Sequence, residues 1–362
     1  MNTRLLASLS LLLVAAPGAR AETHAALQAV NADGSSAWSG GSLPLEDPIV
    51  LCGVWLTATD EWLSTNYVEG ATTPSGGGQF QVFLQAVDDG DRGGTALFMS
   101  QWNRTAKDGY SREAWDAELA RVTRDSSGRA FRPGDIVEVT ARAALPYGGK
   151  LNVNEAHLLG PEYDFKIALV QSNAGLPRAE PVTLADFVEL VDGESVEIFD
   201  PTRQTGGERW QGMRVRLDGV SLVSTNGWQS TGPFGVRLGQ VRDAEGRLFN
   251  VRHPLKDIGD PPAGEFSVIG VVNQEGSNTN GYELLMQEIG PVVAVAQGSA
   301  GRNAVSIDAD YADWVLVAAD SLDAEVWEPV DATPVLRIVL EDATPAEGPR
   351  FYRLERRAPA SP

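Results

Sequence analysis

The sequence predicts a mainly-β protein with two tandem five-stranded barrels followed by a small C-terminal β-sandwich. Three observations predict this fold. Short stretches of alternating apolar and polar residues are separated by turn-rich segments along most of the chain. One order of elements occurs twice, over residues 45–161 and 209–291, and further strand patterns follow over residues 292–357. The 362 residues, 43% of them hydrophobic, are enough for two or three domains with separate cores.

Residues 1–21 have the pattern of a secretory signal peptide. Arg4 supplies the positive start, residues 5–16 the apolar run, and Ala19-Arg20-Ala21 the small-residue cleavage site. The apolar run is shorter than a membrane-spanning helix requires. We therefore expect a mature protein that begins at Glu22 and is secreted or held at the cell surface, with the periplasm as the alternative location. Residues 22–44, rich in Ala, Ser and Gly, are predicted to form a flexible lead-in.

The first repeat, residues 45–161, contains patterns for five strands and one helix. The helix is predicted over residues 111–124, because Trp115, Leu119 and Val122 recur at helical spacing. Five strands with a helix between the third and the fourth is the element order of an OB-fold barrel. The strands are predicted over residues 49–59, 79–87, 95–102, 136–144 and 150–158.

The second repeat, residues 209–291, has the same order without a full helix. The pattern G-V-x-L-x-[AS]-T-x-x-W begins at Gly53 and, without gaps, at Gly219. Each copy then has an F-x-V-x-L strand pattern, at residues 80–84 and 234–238. Such matches in the same order predict a duplicated module. In both copies the apolar alternation shifts phase at the first glycine of the pattern, which predicts a bulge or bend in the first strand.

Two regions lie outside the repeats. In the connector, residues 162–208, a capping-box pattern at Thr183 predicts a short helix that ends at Val191, because Asp192-Gly193 stops it. Residues 358–362 are predicted to be a frayed tail. Residues 292–357 are predicted to form the β-sandwich, with short strands over residues 305–307, 314–317, 327–330, 335–340 and 351–354.

Three motifs stand out around the second repeat: Val182-Thr-Leu184, Trp210-Gln-Gly-Met213-Arg-Val215 and Val268-Ile-Gly-Val271. In these motifs the chain resembles the OB-like domains attached to secreted bacterial nucleases and related extracellular proteins. The resemblance covers residues 180–291 and, through the repeat, residues 45–161. It implies a binding role, and the catalytic domain of such nucleases has no counterpart in the sequence.

The C-terminal segment carries a second resemblance, to the small β-sandwich that closes many multidomain secreted bacterial proteins. This resemblance implies a structural or attachment module. The residues that carry it are Val305, Ile307, Trp314, Ser321-Leu322, Trp327-Glu-Pro-Val330 and Phe351-Tyr-Arg-Leu354.

Charge and motif content argue against several classes of function. A net charge of −20 disfavours generic binding to nucleic acids or anionic membranes. Cys52 is the only cysteine, so there is no internal disulfide framework, and we interpret it as a buried strand residue. The three histidines are scattered, and the sequence contains no H-E-x-x-H, G-x-S-x-G or phosphate-binding-loop motif. We therefore expect a non-enzymatic protein; a hydrolase with an unrecognised site is the weakest alternative.

A group of basic residues distinguishes the second repeat from the acidic remainder of the chain. Residues 209–256 hold eight basic residues against three acidic ones. Period-two alternation places five polar side chains on the outer face of three adjacent strands, where OB barrels bind extended ligands. Guanidinium groups suit phosphate, sulfate and carboxylate, so the predicted ligand is an anionic polymer, either nucleic acid or acidic polysaccharide. The candidate residues are Arg214, Arg216, Arg237, Asn250 and Arg252, with Trp228 as a stacking surface in the first loop.

The alternative interpretation is that these arginines pair with acidic side chains of the protein itself. The protein would then be a structural or adhesion protein of the cell exterior. Solvent-exposed arginines favour ligand binding, whereas arginines buried against Asp or Glu favour the structural role. In the first repeat the outward positions are predicted to be Val50, Gln81, Phe83 and Gln85, which lack basic residues. An exposed Phe beside Gln suits a sugar-binding face or a contact with another domain, and the domain contact is the preferred interpretation.

No cofactor is expected. Two acidic clusters offer closely spaced oxygen ligands for Ca²⁺, namely Asp88, Asp89 and Asp91, and Asp308, Asp310 and Asp313. Neither cluster has the full twelve-residue loop or a closing Glu. A solvated turn is therefore the preferred interpretation for both.

Overall fold

The computed structural model describes residues 20–39, 45, 47–88, 90–103, 106–275, 281–297, 303–307, 314–319, 328–329, 338–341 and 351–356. Strands hold 39% of the chain and helices 14%, which confirms the mainly-β class. The chain divides into two compact units. The first comprises residues 1–177, 199–213 and 273–281, and the second comprises residues 178–198, 214–272 and 282–362. Residues 1–19 of the predicted signal peptide lie outside the described residues.

The first unit contains the helices α1 (His24–Leu27) and α2 (Arg112–Val122) and short 3₁₀ turns at Pro74–Gly76, His157–Leu159, Pro161–Tyr163 and Gly207–Trp210. Its strands are β1 (Arg20–Ala21), β2 (Ile49–Trp55), β3 (Gln79–Ala86), β4 (Gly94–Ser100), β5 (Trp102–Asn103), β6 (Asp108–Gly109), β7 (Ile136–Ala141), β8 (Ala144–Tyr147), β9 (Lys150–Asn154) and β10 (Lys166–Gln171). In the part of the chain that the structure describes, no helix is long and apolar enough to span a membrane.

The main sheet of the first unit has the strand order β10-β7-β2-β3-β4-β9-β8, with β1 parallel to β2. The predicted fourth strand is two strands: β7 pairs with β2, and β8 pairs with β9 after the chain passes through Arg142 and Ala143. The pairings among the described strands therefore form an open path. Inward side chains from these strands and from α2, including Trp55, Phe80 and Trp115, form one buried core.

The N-terminal segment is part of this core, in contrast to the predicted flexible lead-in. The hydroxyl of Thr23 accepts a hydrogen bond from the amide of Ala26 and caps α1, and Leu27 of that helix is fully buried in the core. The buried side chain of Gln28 exchanges two hydrogen bonds with the backbone of Leu151. Composition alone did not indicate this role, because a four-residue helix gives no periodic pattern.

The second unit contains 3₁₀ turns at Leu184–Asp186 and Phe234–Arg237. Its strands are β11 (Glu180–Val182), β12 (Val188–Val191), β13 (Glu194–Glu197), β14 (Arg214–Leu222), β15 (Leu238–Arg242), β16 (Leu248–Arg252), β17 (Phe266–Gln274, its last two residues in the first unit), β18 (Tyr282–Pro291), β19 (Val293–Gln297), β20 (Asn303–Ile307), β21 (Trp314–Ala319), β22 (Glu328–Pro329), β23 (Ile338–Glu341) and β24 (Phe351–Arg356).

The second repeat is a closed five-stranded barrel. The strand order β14-β15-β16-β18-β17 returns to β14, because β14 pairs with both β15 and β17. The register of β14 against β17 shifts between Leu217 and Val220, which confirms the bulge predicted at Gly219. This glycine has φ +69°, a conformation that side-chain-bearing residues rarely adopt. The bulge bends β14 so that it can pair with strands on both sides.

The bulge predicted at Gly53 is absent, because β2 pairs with β7 without a shift from Ile49 to Val54. Gly53 is explained by a close approach instead. A Cβ atom at this position would lie 2.9 Å from the carbonyl oxygen of Gln85. The same phase shift in the sequence thus reports two different needs for glycine, a bend in one copy and lack of space in the other.

Two local predictions in the second unit are wrong. The capping box at Thr183 is present, but it caps a single 3₁₀ turn, and the chain then enters the hairpin β12–β13. Asp192 and Gly193, with φ +52° and +84°, form the two-residue turn of this hairpin, so their positive φ angles turn a strand instead of ending a helix. Residues 234–237, predicted to be in a strand, form the other 3₁₀ turn, and β15 begins only at Leu238.

The C-terminal strands form two three-stranded antiparallel sheets, β19-β20-β23 and β22-β21-β24. All five strand patterns predicted for this region coincide at least in part with β20 to β24. The association of the two sheets as a sandwich stays a prediction.

Candidate functional site

Arg252, at the centre of the predicted anion-binding face, is buried inside the second unit. Its residue surface is only 5% exposed. Two guanidinium nitrogens donate to one carboxylate oxygen of the buried Glu283, at 2.9 and 2.6 Å, and a third donates to the carbonyl of Phe234 at 2.5 Å. The guanidinium also lies 3.7 Å from the centroid of the Phe234 ring. All sides of this cation that carry donors are therefore used within the barrel.

Arg237 is also buried, with 1% of its surface exposed. It lies in the 3₁₀ turn before β15 and donates to the carbonyl oxygen of His253 at 2.5 Å, while its own carbonyl accepts from the amide of His253. Burial, with the nearby charge of Arg252, lowers the pKa of Arg237 to about 10. Burial also lowers the pKa of His253. The outward orientation predicted for Arg237 is wrong because residues in a 3₁₀ turn do not alternate between two faces.

The remaining predicted site residues lie nearer the surface. Arg214 donates to Glu288 at 2.7 Å. Arg216 pairs with Asp218 at 2.8 Å, and the side chains of Arg216 and Asp218 are both partly exposed. Asn250 is half-buried on β16, opposite Gln240. Trp228 donates its indole N–H to the carbonyl of Gly259 at 2.9 Å and packs edge-on against His253. Trp228 is thus a structural residue of the loop between β14 and β15.

The outer surface around β15 is mainly aliphatic and amide in character. Val223, Val236 and Leu238 are 48%, 51% and 40% exposed, although alternation in the sequence predicts that the last two point inward. The backbone N–H of Val223 donates to the backbone carbonyl oxygen of Gln240, so Val223 lies directly across from β15. Arg242 is the exposed cation at the end of this strand. On the outer surface of this barrel, where arginines are predicted, aliphatic side chains are therefore exposed, and Arg237 and Arg252 are buried.

The corresponding face of the first unit is covered. Val50, Gln81, Phe83 and Gln85, predicted to point outward, are all buried. Part of the cover is α1, since His24 contacts both Thr95 and the carbonyl of Cys52 through its ring nitrogens. This cover belongs to the same unit, so the predicted contact of this face with another domain stays a prediction.

A polar cluster in the first unit was not predicted. Arg121 of α2 donates to Glu118 and Glu155, at 2.6 Å each, and His157 lies 2.7 Å from Asp164 through its Nδ1 atom. We name these five residues the helix–loop cluster. The cluster joins α2 to the loop after β9, and its members are far apart in the sequence, so no motif could indicate it. The spacing of His157 and Asp164 around Gly160-Pro161 was the only local signal.

The predicted calcium positions are distributed as follows. Asp88 accepts a hydrogen bond from the amide of Gly90, and Asp91 accepts from the amides of His24 and Ala25. Asp91 therefore anchors the N-terminal segment, as an acidic residue at the start of a helical turn commonly does. Asp89, Asp308, Asp310 and Asp313 lie outside the described residues.

No protein-family model matches the chain, and no curated protein sequence matches it.

Proposed function

We propose that the protein is a secreted, non-catalytic interaction protein that contacts a protein or neutral glycan partner of the cell exterior through the outer surface of the closed barrel. The contact surface consists of the exposed residues Val223, Val236 and Leu238 with the half-buried Gln240, and we name it the β15 face. The observation that carries the proposal is a contrast between neighbouring side chains. Arg237 and Arg252 are buried in internal hydrogen bonds, whereas Val236 and Leu238 are exposed.

The physical chemistry of this face suits an uncharged partner. Isolated exposed aliphatic residues are common, but three on one barrel surface supply apolar area that a partner can cover. Amide side chains such as Gln240 add hydrogen bonds without the desolvation cost of a full charge. The net charge of −20 adds repulsion against polyanions at long range.

An anionic polymer remains the alternative ligand, and two residues support it. Arg216 and Arg242 keep exposed guanidinium groups. The exposed pair of Arg216 with Asp218 is worth at most about 1 kcal/mol, so that a polyanion could displace the aspartate. Binding to anionic probes distinguishes the two proposals, because only the alternative ligand is charged.

The first experiment is fluorescence polarisation of labelled single-stranded DNA and of a sulfated glycan, at low and moderate salt, with the full-length protein. We expect no binding to either probe. Salt-sensitive binding that weakens in Arg242→Glu would favour the anionic polymer and would contradict the proposed function.

The second experiment measures attachment of the labelled protein to the surface of the cells that secrete it. The double variant Val236→Ser with Leu238→Ser should reduce attachment, because it removes apolar contact area without opening the core. Val87→Ser is the matched control, since Val87 is 47% exposed in the first unit. Equal attachment of the wild type and the double variant would remove the β15 face from the proposal.

A further inference from the structure

We propose that the helix–loop cluster is a zinc site, in which Glu118, His157 and Asp164 are the ligands. One ligand atom from each of these residues lies within 4.8 Å of the other two. The Nδ1 atom of His157 is 2.7 Å from Asp164 Oδ1 and 3.5 Å from Glu118 Oε1. Ligand atoms that share a tetrahedral Zn²⁺ at about 2.1 Å are about 3.4 Å apart, so small shifts of these side chains suffice.

Glu118 has one carboxylate oxygen, Oε1, that is available to a metal ion. Glu118 is 7% exposed, and its Oε2 atom accepts two hydrogen bonds from Arg121. Its Oε1 atom accepts no hydrogen bond among the described residues and is directed at His157. Carboxylate oxygens are ordinary zinc ligands, so a metal ion at this position would take the Oε1 atom as a ligand while Arg121 holds the Oε2 atom.

The other two members of the cluster position the ligands. Glu155 is fully engaged: its two oxygens accept from the amides of Ala156, His157 and Phe165 and from Arg121. These bonds fix the loop that carries His157 and Asp164. Burial raises the pKa of Glu155, with Arg121 opposing the shift, and burial together with Glu155 and Glu118 raises the pKa of Tyr110, whose ring stacks on His157.

Charge balance also favours a cation. Three carboxylates and one guanidinium leave an excess of two negative charges when His157 is neutral. A divalent ion balances this excess. Imidazole with carboxylate oxygens is a donor set that suits zinc better than the all-oxygen sets preferred by Ca²⁺ and Mg²⁺.

The site is reachable from solvent. The side chains of His157 and Asp164 are 34% and 19% exposed. Three protein ligands leave one position of a tetrahedral ion open to water. The Nδ1 atom of His157 lies within hydrogen-bond distance of Asp164 Oδ1, and a bound zinc ion would replace this contact by ligation of both atoms.

The test is isothermal titration of the full-length, chelator-treated protein with Zn²⁺, together with the melting temperature at each metal concentration. The wild type should bind one ion and melt at a higher temperature with zinc. His157→Gln and Asp164→Asn should each weaken binding by roughly tenfold or more, the range known for changes near a bound metal. Glu162→Gln is the control, because Glu162 is an exposed carboxylate of the same loop.

Co²⁺ provides a readout that does not depend on the variants, since its visible absorption reports the number and type of ligands. For the wild type we expect a Co²⁺ spectrum that is typical of oxygen and nitrogen ligands. The proposal is overturned if the wild type binds no zinc, which would leave His157 as a hydrogen-bonding partner of the carboxylates. Zinc binding by His157→Gln that is as tight as in the wild type would also overturn the proposal, because His157 would then not be a ligand. Equal weakening in Glu162→Gln and in the ligand variants would overturn it too, because the loss would not be specific to the three ligands.

Discussion

At the scale of single residues, Arg252 and Arg216 show how burial changes the worth of the same ion pair. Arg252 binds the buried Glu283, whereas Arg216 binds Asp218 at the surface. We predict that Arg252→Ala lowers the free energy of unfolding by about 3–5 kcal/mol, because a carboxylate stays in the interior after its guanidinium is removed. Arg216→Ala should cost less than about 1 kcal/mol. Urea denaturation of both variants checks this, and equal losses would contradict it.

Asp135 predicts the pH dependence of stability in the first unit. Burial acts to raise its pKa, but two hydrogen bonds from Arg129 and the amides of Asn173 and Arg132 outweigh burial and lower the pKa. A lowered folded-state pKa gives stability that is complete above about pH 4 and is lost as the pH falls through the folded value.

The corresponding variant is Asp135→Asn. We predict that it is less stable than the wild type by about 2 kcal/mol or more at pH 7, since charged hydrogen bonds are lost. The difference should narrow as the pH falls below 4 towards the lowest value at which the wild type stays folded. Urea denaturation at a series of pH values measures this, and a constant difference would disprove the role of the charge.

At the scale of elements, two glycines separate backbone conformation from lack of space. Gly219 in the bulge of β14 has φ +69° with no heavy atom within 4 Å of an added Cβ. Gly212 has φ +70°, and an added Cβ would lie 2.4 Å from the backbone of Gly94. Both substitutions by alanine therefore carry the same conformational cost, about 1–2 kcal/mol, and only Gly212→Ala adds a steric one.

We therefore predict that Gly212→Ala lowers the melting temperature clearly more than Gly219→Ala. Gly219→Asn should be milder still, because asparagine tolerates positive φ better than alanine does. Thermal unfolding of the three variants provides the measurement. Similar effects of the two alanine variants would mean that the backbone at Gly94 moves aside.

Sequence patterns located most strands of both repeats, but they failed where an element was too short to show its period. The strands β2, β3, β4, β7 and β9 start within one residue of their predicted starts. Residues 234–238 read as alternating because a 3₁₀ turn next to a strand can imitate a period of two over five residues. The outward orientation predicted for Arg237 followed from that error, whereas Arg252 lies in a strand as predicted and is buried by its pair with Glu283. The helix–loop cluster could not be predicted, since it forms only when α2 packs beside the loop after β9.

At the scale of the whole molecule, the two predicted repeats share a short parallel strand ahead of their first long strand. In the first, β1 runs parallel to β2 with Ala21 opposite Val50, and Thr23 caps the following turn. In the second, β11 runs parallel to β14 with Pro181 opposite Arg216, and Thr183 caps the following turn. Aligning Gly53 with Gly219 also aligns these two pairs. These shared lead segments are compatible with the predicted duplication, which in the predicted mature protein would then include residues 22–27 and 182–187.

The lead strands also determine where the chain can be cut. A fragment that begins at residue 45 would lack Leu27, and a void would remain in the core beside Trp55. A fragment that begins at residue 209 would lack Phe187, whose ring stacks on Phe249 at 4.7 Å. Each repeat therefore depends on a short peptide that precedes its first long strand by about thirty residues. A fragment made without that peptide would expose part of its hydrophobic core to water.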